Sequence, residues 1–331
     1  MKQAAPTIAV ILPTYNGAAF LEAQLQSIFR QSLGDFTLYA FDDCSRDATW
    51  EILTTWASRE PRLQARQNPR NKGVRQNLSD ALASVEADIY FLADQDDLWH
   101  PEKIQRQVQS LQQGAWASFH DLTLVDANAN PLGQTLWQAL GIRPEEAQDP
   151  ARLVLKAMVT GCSLAITKDL LQAALPIPPG ALMHDHWLSV FAAAQGKLTF
   201  LPEALIQYRQ HGNNLVGSGQ GLKAPSGLGL KATWQALCQA KQQSLLDWAN
   251  LLALFQKRLP QHQQPLELAS YQKFYRALSQ GQWAAAAMQT ATLTSPLGKG
   301  YFLRRLLVAC IYPLLAGARV LGAALAPRKQ G

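Results

Sequence analysis

Ile89-Tyr90-Phe91-Leu92-Ala93-Asp94-Gln95-Asp96-Asp97 is an apolar run that stops abruptly in acid. A run that short and that apolar reads as a strand buried on both faces of a parallel sheet, with its carboxyl end opening into a polar loop. The same pattern recurs upstream. Ile8–Leu12 runs into Pro13-Thr14-Tyr15-Asn16, Phe36–Phe41 runs into Asp42-Asp43, and a shorter strand at Leu63–Arg66 precedes Asn71-Lys72-Gly73. Helical spacing follows each strand: Phe20, Leu21, Leu25 and Ile28; then Trp50, Leu53 and Trp56 behind an Asp47 cap; then Asn77, Leu78, Ala81 and Leu82; then Ile104, Val108 and Leu111 behind Pro101. Four alternations of strand and helix predict an α/β fold, a Rossmann-like, mostly parallel sheet flanked by helices. In such sheets ligands bind beyond the carboxyl ends of the strands, where these polar clusters gather.

Further along, strands are expected at Ala115–Asp121, Ser163–Ile166, Lys197–Leu201 and Leu205–Tyr208, with a helix over 186–195. Gly and Ser enrich 212–229, which reads as a linker. Helical patterns follow at Thr233–Leu259, Glu267–Gln280 and Trp283–Thr292. The expected division is a catalytic domain over 1–217 and a helical C-terminal region over 218–331, with a basic apolar tail from about 299.

Composition removes several classes. Of 331 residues, 48% are hydrophobic and 16% charged, which excludes a disordered chain. The four cysteines (Cys44, Cys162, Cys238, Cys310) form no CxxC pair, against a disulfide framework or zinc knuckle. The net charge of +6 comes from the end of the chain: residues 268–331 hold eight Lys or Arg and no acid. Within that end, Leu306–Ala326 carries one charge, Arg319, and Pro313, and Arg304-Arg305 and Arg328-Lys329 bracket it. Three readings stand: a segment lying on an anionic membrane face, a buried helix, and a span of about 20 residues. The apolar company of these basic residues speaks against nucleic acid. The short polar start, Met1–Pro6, is not a signal peptide.

Two carboxylates two apart on a turn, Asp94 and Asp96, can converge on one divalent cation and leave positions open for phosphate oxygens. A calcium loop would want an oxygen ligand and a glycine where Leu98 and Trp99 stand. The bland alternative is a solvated acidic turn, with Asp97 capping the next helix.

Four segments in order, Val10-Ile11-Leu12-Pro13-Thr14-Tyr15-Asn16-Gly17, Phe41-Asp42-Asp43-Cys44-Ser45-Arg46-Asp47-Ala48-Thr49, Asn71-Lys72-Gly73 and Leu92-Ala93-Asp94-Gln95-Asp96-Asp97, are similar to the family 2 glycosyltransferases of GT-A fold. His184-Asp185-His186-Trp187 and Tyr208-Arg209-Gln210-His211-Gly212-Asn213-Asn214 resemble the bacterial rhamnosyltransferase-like branch. The resemblance covers about 7–217.

It implies an inverting, metal-dependent transfer from a nucleotide sugar. Pro13, Thr14 and Tyr15 would line the nucleotide pocket, with Tyr15 facing the base. Asp43 would accept the pyrimidine N3–H of a UDP or dTDP sugar, with Asp42 beside it; as residues alone the pair also reads as a helix cap. Asn71, Gly73 and Asn77 would lie near the donor, although Gly73 also reads as a turn glycine. Gln76 stands where the family often has a basic residue, and Arg75 is one earlier. Asp96 would hold Mg2+ or Mn2+, with Asp94 near the ribose or the metal. Asp185 would be the base that deprotonates the acceptor hydroxyl. His184 and Trp187 would touch the acceptor or pack, and Gly161 and Cys162 would form an acceptor-side loop in which Cys162 is a small packing residue. His211 would approach the metal or diphosphate or be a polar loop residue, and Arg209 is a rival diphosphate contact.

The expected donor is dTDP-rhamnose, and the expected acceptor a surface polysaccharide or lipid-linked glycan at the inner face of the plasma membrane. A nucleotidyltransferase would open on a Gly-rich loop with a basic residue, but the loop after Leu12 has no Lys or Arg before Arg30. A non-catalytic binding protein would not need Asp43, Asp96 and Asp185 together.

Overall fold

Ile8–Thr14 forms β1, and six of its seven residues are buried, so both faces of the strand are covered. The computed structural model describes residues 5–178, 181, 183–211, 243, 246–261, 268–280 and 282. Two compact units divide the chain, Met1–Leu215 and Val216–Gly331.

In the first unit, β1 leads to α1 (Ala18–Phe29), β2 (Thr37–Asp42), α2 (Thr49–Ala57), β3 (Leu63–Gln67), α3 (Val74–Ser84), β4 (Ile89–Leu92), β5 (Leu98–Trp99) and α4 (Lys103–Leu111). Then come β6 (Ala117–Val125), β7 (Pro131–Thr135), α5 (Leu136–Leu140), α6 (Pro150–Leu155), β8 (Ala165–Thr167), α7 (Lys168–Ala174), α8 (His184–Ala194) and β9 (Leu198–Arg209). Among the described residues these strands form one sheet in the order β3-β2-β1-β4-β8-β6-β9-β5, with β7 on β6. The β3-β2-β1-β4 half is parallel throughout. Beyond it the sheet is mixed: β8 is antiparallel to β4 and β6, and β9 runs parallel to β6.

The chain leaves β1 toward β2 on one side, while β4 lies on the other. That reversal of strand order makes a crevice at the carboxyl ends of β1 and β4. Val10, Ile11, Leu12, Phe91 and Leu92 are essentially unexposed beneath it. Each such side chain contributes about 1.5–3 kcal/mol by leaving water, so the floor under the loops is rigid.

The sequence expectations hold for the alternating half. One difference concerns the last strands: Lys197–Leu201 and Leu205–Tyr208 are parts of one strand, β9, which stays paired to β6 through two register shifts near Asp121. A bulge accommodates the irregularity around Pro202-Glu203 without ending the ladder. A second is the two-residue β5, too short to carry a period, which pairs β9.

In the second unit, residues 246–258 are helical and Leu268–Ser279 forms a further helix. Trp248 and Tyr275 stack at 5.9 Å. The expected helix at Trp283–Thr292 and the basic tail lie outside the described residues. Among the described residues, no helix is long and apolar enough to cross a membrane.

Candidate active site

Three loops meet at the crevice, and short polar side chains join them. Asp47 accepts from Ala18 N–H at 3.1 Å and Thr49 N–H at 3.0 Å, so one carboxylate satisfies the open N-termini of both α1 and α2. Gly17 N–H donates to Thr49 Oγ1. Asn16 takes the left-handed conformation (φ 48) and accepts from Arg46 N–H through Oδ1. Tyr15, after β1, is 42% exposed and presents its ring to solvent above these anchors, while Pro13 and Thr14 still belong to β1.

Asp42 and Asp43 end β2 but face inward. Asp42 is unexposed and accepts from Thr14 Oγ1, Ser45 N–H and Gln67 Nε2. Asp43 is 2% exposed, and its carboxylate accepts from Lys72 N–H, Gly73 N–H and Asn68 Nδ2. Asn71 Nδ2 reaches the Asp43 carbonyl, and Gly73 adopts φ 81, which only glycine takes without strain. Asn77 is buried, donating to the Phe41 carbonyl and accepting from Asn68. Asp43 thus pins loop 68–73, Asn77 holds Asn68 behind it, and Asp42 ties the end of β1 to Ser45 and Gln67. Gln76 bonds Asp80, and Arg75 donates to the Ala181 carbonyl at 2.9 Å, beside a cleft that also contains Met183 and His184.

The acidic loop after β4 is different. Asp94 and Asp96 keep partial exposure, while Asp97 is fully buried. Burial, then the charges of Asp96 and Asp185, push the Asp94 carboxyl up to about 7. Burial, then Asp94 and Asp96, raise Asp97 well above the usual carboxylate range, and Asp97 Oδ2 has no hydrogen-bond partner. Ionising these crowded carboxyls is costly, and a divalent cation placed among them would offset that cost. Ligand-type atoms of Asp94, Asp97 and Cys162 lie within 4.8 Å of one another. His211 Nε2 lies 2.8 Å from Asp96 Oδ2. The residues present thus fit a cation, with Asp94, Asp96 and His211 on the accessible side and Asp97 and Cys162 beneath.

Asp185 sits in the first turn of α8, where the helix dipole favours a carboxylate. Its neighbours are fixed: His186 Nε2 donates to the Leu153 carbonyl, and Trp187 Nε1 to the Ala174 carbonyl. Gly161 faces this turn, and a Cβ there would fall 2.9 Å from His184 Nε2 and 3.6 Å from Asp185 Oδ2. Asp96 and Asp185 both lie near enough to Asp94 for their charges to raise it, and the Asp43 carboxylate accepts from Lys72 and Gly73 N–H.

Three further residues are held by packing or hydrogen bonds. Trp187 is unexposed and packs in the core between α7 and α8. Cys162 is likewise unexposed, its thiol raised by burial and by Asp97 and Asp94, which makes it a packing residue without thiolate character. Arg209 braces the site: its Nε donates to the Asp96 carbonyl and its Nη1 to that of Ala127.

Sequence reasoning passed over Phe20, Gln95 and Lys103. Phe20 stacks on His211 at 4.7 Å and lies under the Arg209 guanidinium at 4.9 Å. Lys103 is unexposed, its Nζ 3.8 Å from the Trp99 ring centre and without a hydrogen-bond partner, and burial pushes it down to about 7. An apolar-face position of α4 gave no sign of holding a lysine against an aromatic ring.

Residues 9–172 match the family described as glycosyl transferase family 2. Those residues form a glycosyl transferase family 2 domain. This glycosyltransferase is 27% identical over 215 residues to an uncharacterized glycosyltransferase of Nostoc sp., a match covering 62% of the chain and 66% of that protein. It is 26% identical over 230 residues to the dTDP-rhamnosyl transferase RfbG of Shigella flexneri, covering 64% of the chain and 76% of RfbG. TuaG of Bacillus subtilis, named for teichuronic acid biosynthesis, is 24% identical over 214 residues, 63% of the chain and 81% of TuaG. Two solved structures share the fold. One is S. aureus TarS 1-349 in complex with UDP-GlcNAc (TM-score 0.55, 15% identity, 86% of this chain and 89% of that one). The other is the mannosyltransferase PcManGT of Pyrobaculum calidifontis in complex with GDP-Man and Mn2+ (TM-score 0.52, 17% identity, 97% and 87%). The glycosyltransferase thus has a GT-A architecture.

Proposed function

We propose that the protein transfers a sugar with inversion from a nucleoside diphosphate donor to a hydroxyl of a polysaccharide or lipid-linked glycan. The observation that carries this reading is the convergence of Asp94, Asp96 and Asp185 at the crevice between β1 and β4. Tyr15 offers its exposed ring to the base. Asp96, Asp94 and His211 would hold a Mg2+ or Mn2+ ion, which when bound supplies charge neutralisation for the departing diphosphate. Asp185 takes the proton of the acceptor hydroxyl as that oxygen bonds to C1 of the sugar. The bond from C1 to the diphosphate oxygen breaks, its electron pair leaves with the diphosphate, and the anomeric configuration inverts.

The named activity of RfbG, and the HDHW and YRQHGNN segments at 184–187 and 208–214, support rhamnose from a dTDP donor as the transferred sugar. The 306–326 segment and its flanking arginines support work at the inner face of the plasma membrane, by the peripheral association argued from sequence. The test is a panel of nucleotide sugars, dTDP-rhamnose included, assayed with Mn2+ and with EDTA, with anomeric configuration read by NMR. Metal-independent turnover, or retention of configuration, would refute the mechanism; turnover with UDP-sugars alone would refute the rhamnosyl assignment.

A further inference from the structure

Gln95 stands between the two carboxylates of the acidic loop, yet its side chain turns to the neighbouring loop. Its Oε1 accepts from Tyr15 N–H at 2.8 Å, and its Nε2 donates to the Tyr15 carbonyl at 3.1 Å. The pair extends a ladder across the switch point, where β1 and β4 have already ended. The amide also lies against Gly17: a Cβ there would fall 2.2 Å from Oε1 and 2.4 Å from Cδ. Gly17 has φ −105, so its glycine answers to this close approach and not to a left-handed backbone. On the far side, Asn16 N–H donates to Ser45 Oγ, and behind the acidic loop Gln24 Nε2 donates to the Asp94 carbonyl at 2.8 Å. The exposed Tyr15 ring and the Asp96–His211 pair are parts of one braced frame, and Gln95 is its crosspiece.

We propose that Gln95 is a positioning residue that sets the span between the surface under the nucleobase and the groups facing the diphosphate. Base and metal-held diphosphate then bind as one unit. The proposal rests on the donor-site reading given under the proposed function. A neutral amide suits the position because it supplies a donor and an acceptor together. Glutamate would lose the donor and add a further negative charge beside Asp94, Asp96 and Asp97.

Titration calorimetry with UDP and dTDP, each with and without Mn2+, tests it in the full chain. Gln95→Met keeps the bulk and loses both hydrogen bonds. Mn2+ should tighten nucleotide binding in the wild type. In Gln95→Met that enhancement should shrink about ten-fold, while metal-free affinity stays within about two-fold. An undiminished enhancement in folded Gln95→Met overturns the proposal. A wild type whose nucleotide affinity ignores Mn2+ overturns the donor-site reading, a result visible without any variant. The contact itself is read from thermal unfolding: Gly17→Ala should lower Tm in the wild type and much less in Gln95→Ala, and equal losses in both backgrounds also overturn the proposal.

Discussion

His211 Nε2 and Asp96 Oδ2 meet at 2.8 Å across a sequence separation of 115 residues. The contact joins the end of β9 to the loop after β4. It is held from two sides: Phe20 stacks on the His211 ring, and Arg209 fixes the Asp96 carbonyl. An imidazole held this way needs little reorganisation to serve with the carboxylate as a ligand.

His211→Ala should therefore weaken Mn2+-dependent nucleotide binding by about ten-fold or more, the usual scale for losing a ligand or its support. Asp96→Ala should abolish the Mn2+ dependence altogether. Calorimetry with and without metal reads both. Mn2+ enhancement of wild-type size in His211→Ala would leave His211 as a polar loop residue.

Asp185→Asn preserves the acceptor for His186 N–H and the shape of the α8 start, but cannot take a proton. Loss of a general base costs about 10²–10⁴ in rate. We expect kcat to fall on that scale with the donor dissociation constant unchanged, measured by single-turnover transfer and equilibrium binding. A wild-type rate would remove Asp185 as the base.

Gly161 tests the packing that aims Asp185. Its added Cβ would lie 2.9 Å from His184 Nε2, and overpacking of that kind costs about 1–3 kcal/mol. Gly161→Ala should lower thermal stability and transfer together, and Gly161→Ala with His184→Ala should recover part of the stability. Gly73→Ala is a useful contrast, since nothing lies within 4 Å and its expected loss, about 1–3 kcal/mol, comes from φ 81 alone.

Acid should destabilise the fold through its buried histidines. His120, His184 and His186 are each held below the ordinary imidazole value, chiefly by burial. The unfolded chain then binds more protons, so stability is full above the unfolded histidine value near 6.5 and falls as pH drops below it. Each group adds a slope approaching about 1.4 kcal/mol per pH unit until its folded value is reached. Asp94 and Asp97, whose folded values are raised, oppose this slope over the same range, so the histidine contribution is read by difference: in urea unfolding between pH 7.5 and 5, His186→Gln should lose part of the wild-type acid destabilisation. A pH dependence identical in His186→Gln and wild type would contradict the neutral burial of that ring.

The parallel half of the sheet and the placing of its polar loops were legible in the residues, because strand burial and helix periodicity are local properties of the chain. Asp94 and Asp96 could be singled out for a related reason, two carboxylates two apart on a turn, whereas Asp185 and His211 were marked by the resemblance of their segments to the family. How each carboxylate is held was not local. Asp42 and Asp43 look alike to Asp94 and Asp96 in sequence, yet Asp43 satisfies N–H groups of loop 68–73 and Asp42 those near Ser45 and Gln67. The partners of Trp187 and Arg209, at Ala174, Asp96 and Ala127, likewise arrive from distant chain. The roles of Gln95, Phe20 and Lys103 emerge only on folding, where a neighbouring loop, a stacked histidine and an indole face supply what no stretch of sequence displays. Local pattern determined the scaffold and marked the candidate residues; the satisfaction of buried polar groups, a long-range property, decided how each of them is held.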